Sequence, residues 1–205
     1  MKIGIISHPL GRNYGGILQN YALQLVLRKL GHEVVTCDYD GLTLYERAKL
    51  KVKSVVWGIN INAKFATLRR FVEKNINCSR KYHTIPRHFP QTEKLDAIIV
   101  GSDQIWRPRY VYNIYHMFLA QFVNQNIRKI AYAASFGTSE WEYTEKQTRK
   151  CSCLAKHIPF ISVREDSGVD LCRKHLHVDA LQVLDPTLLV EKEDYLKVCE
   201  QAQNA

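Results

Sequence analysis

Leu95-Asp96-Ala97-Ile98-Ile99-Val100-Gly101-Ser102-Asp103-Gln104-Ile105-Trp106-Arg107-Pro108 is the stretch that best predicts how this chain folds. Its first half is a short apolar run, Ala97 to Val100, whose β-branched side chains are typical of a strand buried on both faces of a parallel sheet. The run stops at Gly101, and the polar cluster Ser102-Asp103-Gln104 follows at once. Ligands of open α/β sheets bind outside the carboxyl ends of strands, so this cluster is placed where a ligand would meet it. It is equally consistent with a β-to-α turn in which a side chain only caps the next segment.

Short apolar runs of this kind recur along the chain and alternate with helical patterns. One helix is predicted from about Ile17 to Leu30 and ends at Gly31, a residue type common just after a helix. Others are predicted over about 142–155 and 169–175. The alternation indicates the α/β class, with a Rossmann-like, mostly parallel sheet, right-handed crossovers and helices on both faces. Strands are predicted near residues 3–7, 33–37, 97–100, 130–134, 160–163 and 181–184.

Four of the predicted strands end in polar side chains. Because parallel strands have their carboxyl ends at one edge of a sheet, we expect these side chains to face one shared depression there. This convergence is stronger support for a functional site than any single cluster. The clusters are Asn13 and its neighbours, Ser102-Asp103-Gln104, Ser135-Phe136-Gly137 and Arg164-Glu165.

The loop after the first predicted strand, residues 8–16, contains three glycines and opens a helix. Backbone N–H groups at such a helix start can bind an anion. The loop does not match the GxGxxG fingerprint of dinucleotide-binding proteins. The glycines of this loop are explained equally well if they only permit a tight turn and close packing.

The composition indicates a folded protein without a membrane span. Hydrophobic residues make up 46% of the 205 residues, enough for a substantial core, and no apolar run has the length that crosses a bilayer. The first residues predict a strand rather than a signal peptide. The six cysteines contain no CxxC pair and no ladder of spacings, which indicates reduced thiols in the cytoplasm and no metal site.

The net charge of +9 is distributed unevenly. Residues 1–95 contain 16 basic and 6 acidic residues, whereas residues 96–205 contain 13 and 14. Residues 44–74 have the pattern of two basic amphipathic helices, expected to leave an apolar patch partly exposed to anionic lipid or to a lipid-linked acceptor. An ordinary solvated helix face is the alternative. No nucleic-acid motif accompanies the charge, so a membrane surface or an anionic substrate is preferred to nucleic acid as a partner.

Five segments of the sequence are, taken together, more specific for function than the features above. Their order and spacing, rather than any one segment, make them so. They are Tyr14-Gly15-Gly16-Ile17-Leu18-Gln19-Asn20-Tyr21-Ala22-Leu23-Gln24, Val100-Gly101-Ser102-Asp103-Gln104-Ile105-Trp106, Ile130-Ala131-Tyr132-Ala133-Ala134-Ser135-Phe136-Gly137, Ile161-Ser162-Val163-Arg164-Glu165-Asp166-Ser167-Gly168 and Val183-Leu184-Asp185-Pro186-Thr187-Leu188-Leu189. Taken together, and spanning nearly the whole chain, they resemble the polysaccharide pyruvyl transferase family.

Members of that family look like two-domain glycosyltransferases of the GT-B type, with two Rossmann-like halves facing a cleft. The resemblance implies that residues 1–190 form the amino-terminal domain and that residues 191–205 begin a linker or helix toward a second domain. It implies a transferase that moves the enolpyruvyl unit of phosphoenolpyruvate onto sugar hydroxyls of a cell-surface polysaccharide or its lipid-linked precursor, commonly as a cyclic ketal. Phosphoenolpyruvate is then the donor substrate, and no cofactor is implied. Because the family's donor site also uses basic residues of the second half, this chain is expected to fold but not to catalyse transfer by itself.

The resemblance and the strand-end positions together suggest roles for individual residues. Arg164 resembles the family's donor-binding arginine, and its planar fork suits a carboxylate or a phosphate; pairing with Glu165 or Asp166 is the alternative. Asp103 is the candidate for activating or orienting an acceptor hydroxyl. The candidates for hydrogen bonds to acceptor hydroxyls are Asn13, Gln19, Ser102, Gln104 and Ser135, which are equally interpretable as turn or capping residues.

Two other functions are consistent with the sequence. One is a GT-B glycosyltransferase that uses a nucleotide sugar, which binding of a nucleotide sugar instead of phosphoenolpyruvate would reveal. The other is a non-catalytic binding or scaffolding domain. In all three cases the predicted location is the cytoplasm, at the inner face of the membrane if the basic helices bind lipid.

Overall fold

The computed structural model describes residues 1–11, 13–42, 45, 48, 49, 52 and 65–203. Within them lies a six-stranded sheet whose strands all pair in parallel. This arrangement confirms the predicted α/β class and all six predicted strands. The strands are β1 Lys2–Ile6, β2 Glu33–Thr36, β3 Ala97–Gly101, β4 Arg128–Ala134, β5 Phe160–Val163 and β6 Leu181–Gln182.

The strand order β2-β1-β3-β4-β5-β6 determines where a ligand site is expected. From β1 the chain first forms β2 on one side and then returns to form β3 on the other side of β1. In doubly wound sheets such a reversal opens a crevice between the carboxyl ends of the two strands, and ligands bind there. The segments that leave β1 and β3 therefore flank this topological switch point.

Helices flank the sheet, and 3-10 turns and one π-helical stretch connect several of them. Cys172–Leu176 continues the sixth helix as a π-helix, and 3-10 turns lie at Pro108–Tyr110, Ala120–Phe122 and Pro186–Leu189. The helices are α1 Tyr14–Lys29, α2 Ala66–Asn75, α3 Phe89–Glu93, α4 Ile114–Met117, α5 Glu145–Ala155, α6 Asp166–Leu171 and α7 Lys192–Gln203.

Helix α1 is bounded by an asparagine cap and a glycine. The Asn13 side chain accepts a hydrogen bond from the backbone N–H of Gly15, which has no partner within the helix. At the other end Gly31 adopts a left-handed conformation, with φ of +82°, which stops the helix. The helix begins at Tyr14, three residues before the predicted start, because the cap rather than the first apolar residue sets the boundary.

The core has one layer on each face of the sheet, as the alternation along β1 requires. Ile3 and Ile5 pack with Leu23 of α1 on one face. Ile6 joins a larger, aromatic-rich layer on the other face, which includes Trp106. Helices therefore lie on both faces, in agreement with the prediction.

The α1 side of the sheet is uncovered at its β5–β6 end. Phe160 pairs in register with Ile130, a residue of the α1-side layer, and is 65% exposed. Leu181 of β6 is 73% exposed. In the part of the chain that the structure describes, coverage of this face by helices is thus confined to the β2, β1 and β3 end.

The two predicted basic helices of residues 44–74 lie largely outside the described residues. The described part, α2, places Leu68, Phe71 and Val72 half-buried against α1. The rings of Phe71 and Tyr21 meet edge to face at 5.7 Å. The apolar side of α2 is therefore used for packing within the protein, and contact with a membrane stays a prediction.

The predicted boundary near residue 190 is followed by a docked helix. In α7 the Asp194 carboxylate accepts a hydrogen bond of 2.6 Å from Lys29 Nζ of α1, and Tyr195 donates one to the Thr187 carbonyl. These contacts join α7 to the body of the sheet domain. In the described residues, no helix combines the length and the apolar character needed to span a membrane.

Candidate functional site

Asp103 and Asn13 are in contact at the switch point. The sequence predicted that each follows the end of a different strand. Asn13 Nδ2 donates to Asp103 Oδ2 at 3.3 Å, and Asp103 Oδ1 accepts from the Gln104 backbone N–H at 2.8 Å. A Cβ on Gly16 would lie 3.0 Å from Asp103 Oδ2. The glycine therefore lets the carboxylate lie against the first turn of α1, where the helix dipole stabilises negative charge.

Arg164, the candidate donor-binding residue, is held by two carboxylates. Its Nε donates to Glu165 at 2.9 Å, and its Nη1 donates to Asp185 at 3.2 Å. Its third contact is Nη2 to the Ser135 hydroxyl at 3.3 Å. The pairing with Glu165 that the sequence analysis kept as an alternative is thus formed, and the cluster has one more negative than positive charge.

Asp185 is the carboxylate at the centre of this cluster. Burial opposes its ionisation, but hydrogen bonds from Thr187, Arg164 and Gln19 together outweigh burial, and the pKa of Asp185 lies below its usual value. Gln19 reaches Asp185 from α1 through its Nε2, whereas its Oε1 is buried and has no hydrogen-bond partner among the described residues. Gln19 therefore fixes α1 to the segment after β6.

Ser135 is fully buried, and its hydroxyl is already engaged. It donates to Glu165 at 2.7 Å, and it accepts from the Gly137 backbone N–H at 2.9 Å. Its backbone N–H in turn donates to the Asp103 carbonyl at 3.0 Å. This geometry favours a supporting role for Ser135, which ties the Asp103 end of the site to the Arg164 end.

Gln104 and Ser102 flank Asp103 but are placed differently. Gln104 Oε1 accepts from Arg107 at 3.2 Å, and it fills the space that a side chain at Gly137 would need. Ser102 is 2% exposed, and its hydroxyl has no hydrogen-bond partner in the described part of the chain. Gln104 thus packs two loops together, and Ser102 lies beneath the surface.

Five of the predicted site residues are therefore linked by hydrogen bonds along one edge of the sheet, whereas the Ser102 side chain takes no part in this network. Asn13 and Asp103 lie at its switch-point end, and Ser135, Arg164 and Gln19 lie toward β6. Asp103 and Arg164 lie at the same edge, as the prediction of a shared site requires. Among the described residues, no group of three His, Cys, Asp or Glu side chains could hold a metal ion.

A pocket that no sequence pattern indicated opens beside this edge. It is a depression partly open to solvent, lined by residues that follow β1 and β2, by Thr84 and Ile85 and by residues of the segment 110–117. His8, Tyr110, Tyr112 and His116 are among its lining residues. His8 was not among the predicted site residues; its place just after strand β1 is the signal that could have found it, whereas the other three had no comparable signal.

The two pocket histidines are neutral at pH 7. Burial lowers the pKa of His8 and outweighs the opposing effects of nearby Asp103 and of a hydrogen bond to the Gln104 backbone. Burial likewise lowers the pKa of His116. Neutral imidazoles both accept and donate hydrogen bonds, so they can bind hydroxyl groups and can accept a proton.

A comparison with protein-family models agrees with the five segments that the sequence analysis quoted. The model described as polysaccharide pyruvyl transferase matches residues 13–204, a range that contains all five segments. No curated protein matches the chain.

Proposed function

Because this chain belongs to the polysaccharide pyruvyl transferase family, we propose that it takes part in transfer of a pyruvyl group from phosphoenolpyruvate to hydroxyls of a saccharide. The saccharide is a cell-surface polysaccharide or its lipid-linked precursor. The observation that carries the proposal is the Asp103 carboxylate at the switch point, next to the neutral His8 and to a pocket whose described lining residues carry no charge.

The proposed reaction has two steps that conserve atoms and charge. In the first, a sugar hydroxyl oxygen bonds to C2 of phosphoenolpyruvate as the π bond between C2 and C3 breaks, C3 takes a proton from a general acid to become the methyl group, and the hydroxyl proton passes to a base. In the second, a neighbouring hydroxyl oxygen bonds to the same carbon and its proton passes to the base, while the bond from that carbon to the phosphate oxygen breaks and inorganic phosphate leaves. The product is a cyclic ketal. Both steps need a base close to the attacking hydroxyl.

Asp103 is the group to which we assign that base function, with His8 beside it. The carboxylate is half-buried and is positioned by Asn13 and by the backbone N–H of Gln104. His8 is neutral and close enough to Asp103 for the carboxylate to affect its pKa. A proton taken from a sugar hydroxyl can be held by either group and returned to solvent through the open pocket.

Donor binding is proposed to involve Arg164, together with cations that come from elsewhere. Phosphoenolpyruvate has a carboxylate and a phosphate, but Arg164 already faces Glu165 and Asp185. A donor at this position must displace one of them or bring further positive charge. We therefore propose that a second α/β domain of the family type supplies those cations, and that the 205-residue chain alone does not catalyse transfer.

The proposed location is the cytoplasm, at the inner face of a membrane. The six cysteines are all unpaired, which suits a reducing compartment. The net charge of +9 favours contact with anionic lipid, where a lipid-linked acceptor would be found.

The test is a calorimetric titration of the chain with phosphoenolpyruvate and, separately, with a nucleotide sugar such as UDP-glucose. We expect weak, salt-sensitive binding of phosphoenolpyruvate that Arg164→Gln reduces and that Arg173→Gln, a change at an exposed arginine, leaves unchanged. Binding of the nucleotide sugar without phosphoenolpyruvate would instead indicate a glycosyltransferase and would overturn the proposal.

A further inference from the structure

The pocket beside the switch point is a small depression that is partly open to solvent. None of the residues to which the sequence analysis gave a role lines it. It nevertheless adjoins them, because His8 both lines the pocket and lies beside Asp103.

The lining that the structure describes is mostly apolar and carries no formal charge at neutral pH. Among the described residues it contains no Lys, Arg, Asp or Glu, and its two histidines are neutral. Apolar walls from Ile85 and Met117 alternate with hydrogen-bonding side chains such as Thr84. This chemistry suits a neutral, hydroxyl-rich ligand and disfavours a ligand with several negative charges, which would be buried without a cation.

Two tyrosines stand exposed among the lining residues. Tyr110 is 57% exposed and Tyr112 is 68% exposed, although large aromatic side chains are usually more buried. The Arg107 guanidinium stacks over the Tyr110 ring at 5.0 Å, and two hydrogen bonds to Glu142 hold Arg107 in turn. These contacts restrain the Tyr110 ring. The C–H face of a sugar ring can stack on such a flat aromatic surface while the hydroxyls of the sugar reach polar groups.

We propose that this pocket binds one pyranose ring of the saccharide acceptor. Tyr110 and Tyr112 stack on the ring, and His8 binds a hydroxyl that faces Asp103. The identification of the sugar as the acceptor rests on the proposed function, whereas binding of a neutral sugar ring rests on the pocket alone.

The test is saturation-transfer-difference NMR on the 205-residue chain with the methyl glycosides of glucose, galactose and mannose. The variants are Tyr110→Ala, Tyr112→Ala and the conservative Tyr112→Trp. Phe160→Ala is the matched control, since it removes a similarly exposed ring from the amino edge of the sheet. We expect one glycoside to bind, each alanine variant to weaken it roughly three- to tenfold, and Tyr112→Trp and the control to retain wild-type binding.

The proposal is overturned if no glycoside binds the wild-type chain at tens of millimolar, or if both alanine variants bind as wild type. It is also overturned if phosphoenolpyruvate competes with the glycoside, because the pocket would then accept an anion. The two proposals can fail separately. If the glycoside binds in the expected pattern but the chain binds a nucleotide sugar and not phosphoenolpyruvate, the proposal of a sugar site in this pocket is supported and only the proposed function is overturned.

Discussion

At the scale of single residues, the partners of a side chain decide what it is able to do. Arg164 has the guanidinium that a donor with a carboxylate and a phosphate needs, but Glu165 and Asp185 already bind it. Among the described residues, the Asp103 carboxylate accepts hydrogen bonds from Asn13 and from a backbone N–H, and it is half-exposed. The carboxylate is thus better placed than the arginine to meet a new ligand without loss of an existing ion pair.

The first prediction concerns Asp103→Asn. The substitution keeps the size of the side chain and removes its capacity to accept a proton. In an assay that couples pyruvyl transfer to phosphate release, with a second family-type domain supplied in trans, we expect the turnover number to fall by about 10²- to 10⁴-fold. Glu145→Gln, a change at an exposed carboxylate on α5, should leave it unaltered. Wild-type turnover in Asp103→Asn would show that another group takes the proton.

The second prediction concerns Asp185 and acid stability. Since its pKa is lower in the folded chain than in the unfolded chain, its stabilising effect is complete above the unfolded pKa of about 3.9. That effect is lost as the pH falls through the folded pKa. At pH 7 we expect Asp185→Asn to reduce the free energy of unfolding by roughly 1–3 kcal/mol, and we expect the difference from wild type to shrink below pH 4. Urea denaturation at a series of pH values measures both.

Asp170→Asn is the control for this experiment. Asp170 forms an exposed ion pair with Arg173 on the same helical segment, with side chains 77% and 69% exposed. Its substitution should change stability by less than about 0.5 kcal/mol at every pH. If Asp185→Asn behaves in the same way, the network around Arg164 does not depend on an ionised Asp185.

At the scale of elements, the loop after β3 is held in place by one buried tryptophan. Trp106 is 0% exposed, and its Nε1 donates to the Met117 carbonyl at 3.0 Å. Its ring stacks on Phe118 at 4.7 Å. Because Trp106 lies three residues after Asp103, this anchor fixes the loop that presents the carboxylate and also holds the segment that lines the pocket.

The third prediction follows from that anchor. Trp106→Ala leaves a large cavity and an unpaired carbonyl, so we expect the free energy of unfolding to fall by about 3–5 kcal/mol. Trp106→Phe should cost less, since it keeps a ring against Phe118. Thermal and urea unfolding followed by circular dichroism measure the losses. An alanine variant as stable as wild type would mean that the loop does not depend on this side chain.

At the scale of the whole molecule, the reversal of strand order brings together residues that are far apart in sequence. Residues after β1 and β3 meet at the switch point because these strands are neighbours in the sheet. The edge continues over β4 and β5 to Arg164, and α1 supplies Asn13 and Gln19 from one face. The site is therefore a property of the doubly wound topology.

The fourth prediction concerns the activity of the whole chain. Arg164 is already paired with two carboxylates, so it cannot by itself bind a donor with two anionic groups strongly, and contacts in reach of solvent are screened by salt. We expect purified chain 1–205 to show no release of phosphate from phosphoenolpyruvate with any saccharide acceptor. Release by the purified chain alone would contradict this expectation.

The fifth prediction concerns the charge of the molecule. With a net charge of +9, most of it between residues 45 and 95, the chain should sediment with vesicles that contain anionic lipid at low salt. It should be released at high salt, because screening weakens the attraction. Neutral vesicles are the control. Absence of binding at low salt would indicate that the basic region is simply a solvated surface.

The sequence by itself determined the class of the fold, because buried parallel strands and the helices between them leave local patterns in the chain. It also determined the family, through five short segments in a set order, and it placed Asp103 and Arg164 at one edge of the sheet. Only the tertiary structure decided which of these groups are free to act. Three features depend on contacts between residues that are distant along the chain. They are the pairing of Arg164 with Asp185, the burial of Ser135 and the pocket that both His8 and Tyr112 line. Local patterns carry no record of such contacts, since the packing of separate elements creates them.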